Sequence, residues 1–288
     1  MWKPGNVALA VGCTLLLTLT IAAPLRAEVV QLEILSREPM ANGFELIRGR
    51  IHGEIDPKDP HNAIIQDIVL APRNARGNVE YVATFALAKP IDLTNSPRVL
   101  LYQVVNRGNG QAVASPDGYI SLVSGWQGDV IPTANNQTIV VPIARRAGGA
   151  PVTGPVLARF SDLKDGARSA PIHLASLGTA QPYPPVDLAQ PGARLSWHTR
   201  ETYSGERDEA HPVARNGWAF ANCETRPWPG EPDPTRICLR GGFQPELLYQ
   251  LTYTAKDPLV LGSGWQRRAT WCRTCDTKRA RRIRWRGW

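Results

Sequence analysis

The sequences VLLYQVV at residues 99–105 and YISLVS at residues 119–124 decide the expected fold. Both are apolar runs of the kind that parallel strands have when both faces of their sheet are covered. Each run ends in a polar, glycine-rich turn, NRGNG at 106–110 and GWQGD at 125–129. Because ligand chemistry in open α/β sheets gathers at the carboxyl ends of strands, these two turns are the best candidates for a functional site.

Further strand patterns flank these two runs. Gly and Pro number 25 each, which favours many short strands and turns over a helical bundle. The sequence therefore predicts an α/β fold with a β-rich N-terminal portion and a β-rich insertion. The predicted strands before the pair are VVQLEIL, FELIRGRIHGEI, AIIQDIVLA and VEYVATFALA, and those after it are TIVVPIA, VTGPVLARF and ARLSWHT.

The net charge of +8 is concentrated in one segment. Residues 263–288 hold nine of the 33 Lys and Arg and one of the 25 Asp and Glu, which leaves 24 of each sign in residues 1–262. A basic pI usually points to nucleic acid or an anionic membrane, but here it describes only the last 26 residues. We therefore expect no specific nucleic-acid partner for the body of the chain.

The first thirty residues have the pattern of a secretory signal peptide. Lys3 precedes an apolar run at 7–24, and Leu25-Arg-Ala27 follows it. We expect cleavage near Ala27, no stable membrane anchor afterwards, and a secreted or periplasmic mature chain in an oxidising compartment. A retained anchor is the alternative, because the run approaches the length that spans a bilayer.

Two cysteines are well placed for a disulfide in that compartment. Cys223 and Cys238 enclose a loop rich in Pro and Asp, and we predict that they form a bridge. Asp56, Asp59 and His61 could suggest a metal, but a Pro-rich hairpin tip explains them better. We expect no metal and no cofactor.

Five segments resemble a family of large secreted bacterial α/β-hydrolase-domain proteins. The likeness runs from about Val29 to Gly262, and it implies an α/β-hydrolase-type sheet and hydrolysis of an ester-type acyl bond in a small ester-like substrate. The segments are RGRIHGEID, IIQDIVLAPRNARGNVEY, VLLYQVVNRGN, GYISLVSGWQGD and CLRGGFQPELLYQLTYTAKDPLVLG.

The resemblance assigns roles to both turns. Asn106, Arg107, Gly108 and Asn109 would form the oxyanion loop, whose backbone N–H groups stabilise the developing negative charge. A second group, formed by Trp126, Gln127 and Asp129, would shape the mouth of the substrate site. Packing and capping are the alternative roles for this second group. For Asn106 to Asn109 the alternative is a plain turn at the end of a strand.

Two departures from the family pattern limit that implication. Only residues 111–117 lie between the first turn and the next strand, whereas a parallel crossover usually includes a helix. The chain also contains no Gly-x-Ser-x-Gly, so no catalytic Ser can be named. We therefore expect an incomplete, inactive α/β-hydrolase relative, with a secreted β-rich binding module that lacks catalysis as the alternative.

The composition changes abruptly after Gly262. Four of the nine Trp and two of the five Cys fall in residues 263–288. One lost C at the Gly262 codon would explain this, because a shifted frame allows an amphipathic helix there. We therefore divide the chain into a signal peptide at 1–27, a hydrolase-like part at 28–262 and an out-of-frame tail at 263–288. A WCRTC redox motif at 271–275, or phosphate and membrane binding by the tail, are the alternatives.

Overall fold

The architecture is built from β-strands. The computed structural model describes residues 28–161, 163–172, 180–263 and 284–286, with the backbone alone at 28 and 284–286. The described elements are sixteen strands and five short 3-10 turns, and none is an α-helix. Within the described residues, no helix is long and apolar enough to cross a membrane.

The first sheet is mostly antiparallel. Its strand order is β16-β1-β2-β3-β5-β4, and β6 pairs with β3 beside β5. Its strands are β1 (Glu28–Met40), β2 (Phe44–Ile55), β3 (Val79–Pro90), β4 (Leu100–Gln103), β5 (Ile120–Ser124), β6 (Ile139–Val140) and β16 (Arg284–Arg286).

The β2–β3 pair is the longest uninterrupted ladder of that sheet. Its register runs without a shift from Phe44 opposite Pro90 to Ile55 opposite Val79. Two glycines of β2 face aromatic rings of β3. A Cβ at Gly49 would lie 2.7 Å from the Phe85 ring, and one at Gly53 would lie 2.1 Å from the Tyr81 ring. The rings therefore lie across the glycines and fix the pairing of the two strands.

The strands β4 and β5 pair in parallel, with Leu100 beside Ile120 and Gln103 beside Val123. The connection between them, residues 104–119, contains no helix. Its residue Ala112 packs instead with Val105 and Val123 on one face of the sheet. An irregular segment thus takes the place that a crossover helix has in α/β proteins.

The prediction of an α/β fold with an α/β-hydrolase-type sheet is therefore wrong. The sheets are mostly antiparallel, and β4 lies at an edge, not at the centre. The apolar run at 99–105 led to the wrong fold class because its side chains are not buried on both faces of the sheet. Leu101, for example, is 49% exposed. The two runs do pair in parallel, but the sheet that contains them is not a parallel sheet.

A second sheet and two smaller sheets form the rest of the body. The second sheet has the order β10-β9-β15-β7, and its inner face packs on Trp218, Phe220 and Phe243. Its strands are β7 (Thr153–Phe160), β9 (Arg194–His198), β10 (His211–Val213) and β15 (Leu248–Lys256). The two smaller sheets use β8 (Ser169–Pro171), β11 (Trp218–Ala219), β12 (Ala221–Asn222), β13 (Glu231–Pro232) and β14 (Arg236–Leu239).

One further predicted strand is wrong. Residues 63–71 do not form a strand, and the 3-10 turns Pro60–Asn62 and Ile68–Leu70 occupy this part of the chain. Asp67 adopts a left-handed φ of 61°, which ends any extended run. Ile65 and Ile68 are buried, whereas Ile64 and Val69 are exposed.

The predicted disulfide is confirmed. Cys223 and Cys238 are bonded, with their Cα atoms 5.5 Å apart, and Trp228 packs against the pair. The predicted signal peptide at 1–27 lies outside the described residues, and so does the WCRTC segment at 271–275.

Removing the disulfide should lower stability substantially. The bridge spans 15 residues, for which loop-closure entropy gives about 3 kcal/mol. We expect the double variant Cys223→Ala/Cys238→Ala to lose about that much free energy of unfolding in urea at pH 7. Reduction of the wild-type protein should give a similar loss. An unchanged urea midpoint would contradict the assignment of a stabilising role.

An ion pair on the first sheet should make stability depend on pH. Glu45 of β2 lies opposite Lys89 of β3, and their Oε1 and Nζ atoms are 2.6 Å apart. The hydrogen bond from Lys89, and its charge and that of Arg37, hold the pKa of Glu45 below its ordinary value of 4.5.

A lowered pKa stabilises the fold above the ordinary value, and this contribution is lost as the pH falls through the lowered value. Glu45→Gln should therefore cost about 1 kcal/mol at pH 7 and progressively less below pH 4.5. Chemical denaturation at several pH values measures this, with the exposed Glu246→Gln as control. A difference between wild type and Glu45→Gln that stays constant with pH would count against the pair.

Candidate functional site

The two glycine-rich turns lie together at the carboxyl ends of β4 and β5. Arg107 Nη1 donates to both carboxylate oxygens of Asp129, at 3.1 and 2.9 Å. The backbone N–H of Arg107 donates to Gln127 Oε1 at 2.6 Å. Parallel strands end at the same edge, which is why turns 20 residues apart in sequence meet here. We call residues 106–109 and 125–129 the turn cluster.

The first turn of the cluster needs glycine at one position. Arg107 and Gly108 have φ of 50° and 74°, and Asn109 N–H donates to Asn106 O at 2.9 Å. A Cβ at Gly108 would lie 2.4 Å from the carbonyl oxygen of Gln137. The N–H groups of Arg107 and Asn109 both have acceptors inside the protein. The predicted oxyanion role of residues 106–109 stays a prediction.

The second turn is held by side chains that point back into the protein. Trp126 Nε1 donates to the carbonyl oxygen of Val105, and its ring packs against the group that contains Val105 and Val123. The side chain of Gln127 accepts from the first turn, as described above. These contacts position the turn, and a role at a substrate mouth stays a prediction.

Asp129 connects the turn cluster to the segment that leads into the second sheet. Its carbonyl oxygen accepts from Gln181 N–H at 2.7 Å. Burial raises the pKa of Tyr183, and the negative charges of Asp129 and Asp67 raise it further. Tyr183 is therefore a neutral neighbour of two carboxylates.

The turn cluster also holds the strand β6 in place. Gln137 N–H donates to Gly108 O at 2.9 Å, and Gln137 Oε1 accepts from Thr84 Oγ1 at 2.8 Å. Gly128 lies against Val141, where a Cβ would come within 2.7 Å of a methyl group. The cluster is thus the support on which residues 137–141 rest.

A cleft of about 350 Å³ opens where β6 leaves β3. The β3–β6 ladder contains only Val82 opposite Val140 and Ala83 opposite Ile139. Pro142 follows and has no N–H with which to continue the ladder. The cleft walls include the apolar residues Val82, Val140 and Pro142 and the polar residues Arg73, Asn74 and Glu80.

The polar end of the cleft is anchored on a buried carboxylate. Asn74 Nδ2 donates to Glu54 at 2.8 Å and to Glu80 at 2.9 Å. Glu54, only 5% exposed, also accepts from Asn78 Nδ2 at 2.9 Å and from Arg76. The turn at 74–78 is therefore fixed, and with it the side of the cleft that carries Asn74.

The sequence indicated this turn but not the cleft. The Asx and Gly residues of NARGN predict a turn, and Gly77 adopts a φ of 81°. The signals for the cleft were Pro142 within an apolar run and Glu54 at the end of a strand pattern, and neither identifies a cleft by itself.

The acidic residues near His61 make turn contacts. Asp56 Oδ1 accepts from Lys58 N–H at 2.9 Å, and Asp59 Oδ1 accepts from His61 N–H at 2.9 Å. In the part of the chain that the structure describes, no three His, Cys, Asp or Glu residues are grouped as metal ligands.

Comparisons with family models, with curated proteins and with solved structures found no significant match. The resemblance to α/β-hydrolase-domain proteins therefore stays a prediction from the sequence.

The ion pair of the turn cluster should contribute measurably to stability. In Asp129→Ala the guanidinium of Arg107, whose side chain is 13% exposed, loses its carboxylate. Hydrogen bonds to charged groups contribute about 1.5–3 kcal/mol, so we expect a loss of about 2 kcal/mol in urea unfolding.

The matched control is Glu224→Ala, which breaks the pair with Arg236 at a carboxylate that is 57% exposed. That variant should lose less than about 1 kcal/mol, because exposed ion pairs contribute little. Equal losses in the two variants would show that the turn cluster is no more tightly coupled than the surface.

Proposed function

We propose that the chain is a β-rich binding module that acts outside the cytoplasm without catalysis, and that its ligand occupies the cleft between β3 and β6. The expectation of acyl hydrolysis depended on an α/β-hydrolase sheet, and the observed fold removes that support.

The internal hydrogen bonding of the turn cluster carries this proposal. An oxyanion loop needs N–H groups directed at the substrate. Here the N–H groups of Arg107 and Asn109 donate to protein acceptors instead. Ser124, the serine that directly precedes the second turn, is fully buried and lies 2.7 Å from the hydroxyl oxygen of Tyr102. The cluster is therefore suited to support, not to nucleophilic attack.

The cleft has the properties of a binding site for a small amphipathic molecule. Its volume of about 350 Å³ lies at the lower end of the range for small-molecule sites. Val82, Val140 and Pro142 offer apolar contact, while Arg73 and Glu80 offer charged partners for a polar group. The turn cluster supports residues 137–141 on one side of the cleft, and Glu54 fixes the polar end that carries Asn74. Little conformational entropy is therefore lost when a ligand binds.

Two measurements on the same preparation test the proposal. The first is hydrolysis of p-nitrophenyl acetate and butyrate by the purified chain. We expect a rate equal to that of heat-denatured protein and no labelling by a fluorophosphonate. Hydrolysis that this serine-directed reagent abolishes would restore the enzyme hypothesis.

The second measurement is binding of the fluorescent probe anilinonaphthalene sulfonate, which has an apolar body and an anionic group. Val140 is 69% exposed, so Val140→Gln should fold normally and weaken probe binding at least fivefold. Leu157→Gln, at a residue 44% exposed on the second sheet, is the matched control and should bind as wild type. Equal affinities in all three proteins would exclude the cleft as the site.

A further inference from the structure

The edges of the two larger sheets differ in how they are protected from other strands. Exposed strand edges are usually blocked by charge, by proline or by a covering segment, because an open edge pairs with other chains. In the second sheet β7 carries Pro155 and Arg159, and β10 carries Pro212. In the first sheet the edge strand β16 covers β1, and β16 is only three residues long and contains two arginines.

The remaining edge, β4, has none of these features. Residues 99–105, VLLYQVV, contain no charge, no proline and no glycine. Segments of this length and composition are the ones that most readily add to other strands. Among the strands that the structure describes, none pairs with the outer side of β4.

The backbone of β4 presents hydrogen-bonding groups on that outer side. Ile120 N–H donates to Val99 O at 2.8 Å, so the polar groups of Val99 face β5. Backbone polar groups alternate along a strand. Those of Leu100, Tyr102 and Val104 therefore point out of the sheet.

The side chains beside this edge form an apolar patch. Val99 and Leu101 are 42% and 49% exposed, and Val113 is 56% exposed. Leu101 pairs with Ser121, whose hydroxyl accepts from Val113 N–H at 3.3 Å, so Leu101 and Val113 are neighbours. We call β4 with Val99, Val104 and Val113 the open edge.

We propose that the open edge pairs antiparallel with the open edge of a second copy of this chain, about a twofold axis at Tyr102. Leu100 of each copy then lies opposite Val104 of the other. The outward groups of these residues form a continuous ladder across the interface. The closed symmetry leaves no further edge of this kind for growth.

Charge favours a second copy as the occupant. The uncharged residues 99–105 meet their identical partner without repulsion between like charges, and Arg107, which comes near Arg98 of the other copy in this register, is already paired with Asp129. Antiparallel pairing places the two Arg98 residues at opposite ends of the ladder, about 26 Å apart for eight residues at 3.3 Å each. Residues 1–262 also carry 24 basic and 24 acidic side chains, so their overall charge does not oppose association.

The basic strand β16 does not prevent this pairing. Its residues 284–286 lie at the opposite edge of the sheet, five strand spacings from β4. At about 4.8 Å per spacing this is about 24 Å. That distance exceeds the Debye length of about 10 Å at 0.1 M salt, so the charges of Arg284 and Arg286 are screened at the interface.

Sedimentation equilibrium of the full chain tests the proposal. We expect a dimer that dissociates on dilution, and at least tenfold weaker dimerisation in Leu101→Lys, where the added charge blocks the edge. Leu157→Lys is the matched control, since Leu157 has similar exposure on the edge strand β7. A monomer at every concentration, an open series of oligomers, or equal effects of the two lysines would overturn the proposal.

Hydrogen exchange locates the interface independently of the variants. The amides of Leu100, Tyr102 and Val104 should become more protected as the protein concentration rises, whereas those of Leu101 and Gln103 already face β5 and should change little. Concentration-dependent protection confined to other strands would refute the assignment. Leu101 is not in the cleft, so Leu101→Lys should keep the wild-type affinity for the fluorescent probe, and failure of either proposal is distinguishable from failure of the other.

Discussion

The parallel ladder between β4 and β5 is the constraint on which the half of the molecule that contains the turn cluster and the cleft depends. It makes two turns end at one edge, where Arg107 and Asp129 form their ion pair. That cluster then supports residues 137–141, and the departure of this segment from β3 opens the cleft. The same ladder leaves β4 outermost, with its polar backbone groups and apolar side chains uncovered. A cavity and an open edge thus have one structural cause.

Some local elements of the fold could be predicted from local patterns, although the fold class could not. The strands β1 to β3 show clear alternation, and the disulfide followed from two cysteines in a sequence with a predicted signal peptide. The proximity of residues 106–109 and 125–129 was also predictable, because it needs only that two parallel strands end together. In these cases the interacting residues are close in sequence, or their proximity follows from strand direction alone.

The prediction failed where burial depends on distant segments. An apolar run such as residues 99–105 is typical of a strand covered by helices, but a turn-rich connection covers one side of this sheet through Ala112. Residues 63–71 are as apolar as a strand, yet Asp67 in a left-handed conformation divides them. The cleft escaped prediction because its walls come from three separated segments, 72–74, 80–82 and 140–142. No sequence period brings these together.

The position of β15 has a consequence for the order in which the molecule assembles. This strand lies between β9 and β7, and its Tyr249 is opposite both Trp197 and Phe160. Until residues 248–256 are present, β7 has no partner strand in the second sheet, and β9 can pair only with β10. A chain that is synthesised from its N-terminus can form the β1–β3 meander at once. The core of the second sheet can form only after these late residues have emerged. During that interval the aromatic residues of this core that precede β15, such as Trp218 and Phe220, would be exposed, and a chaperone that recognises aromatic surface would bind them there.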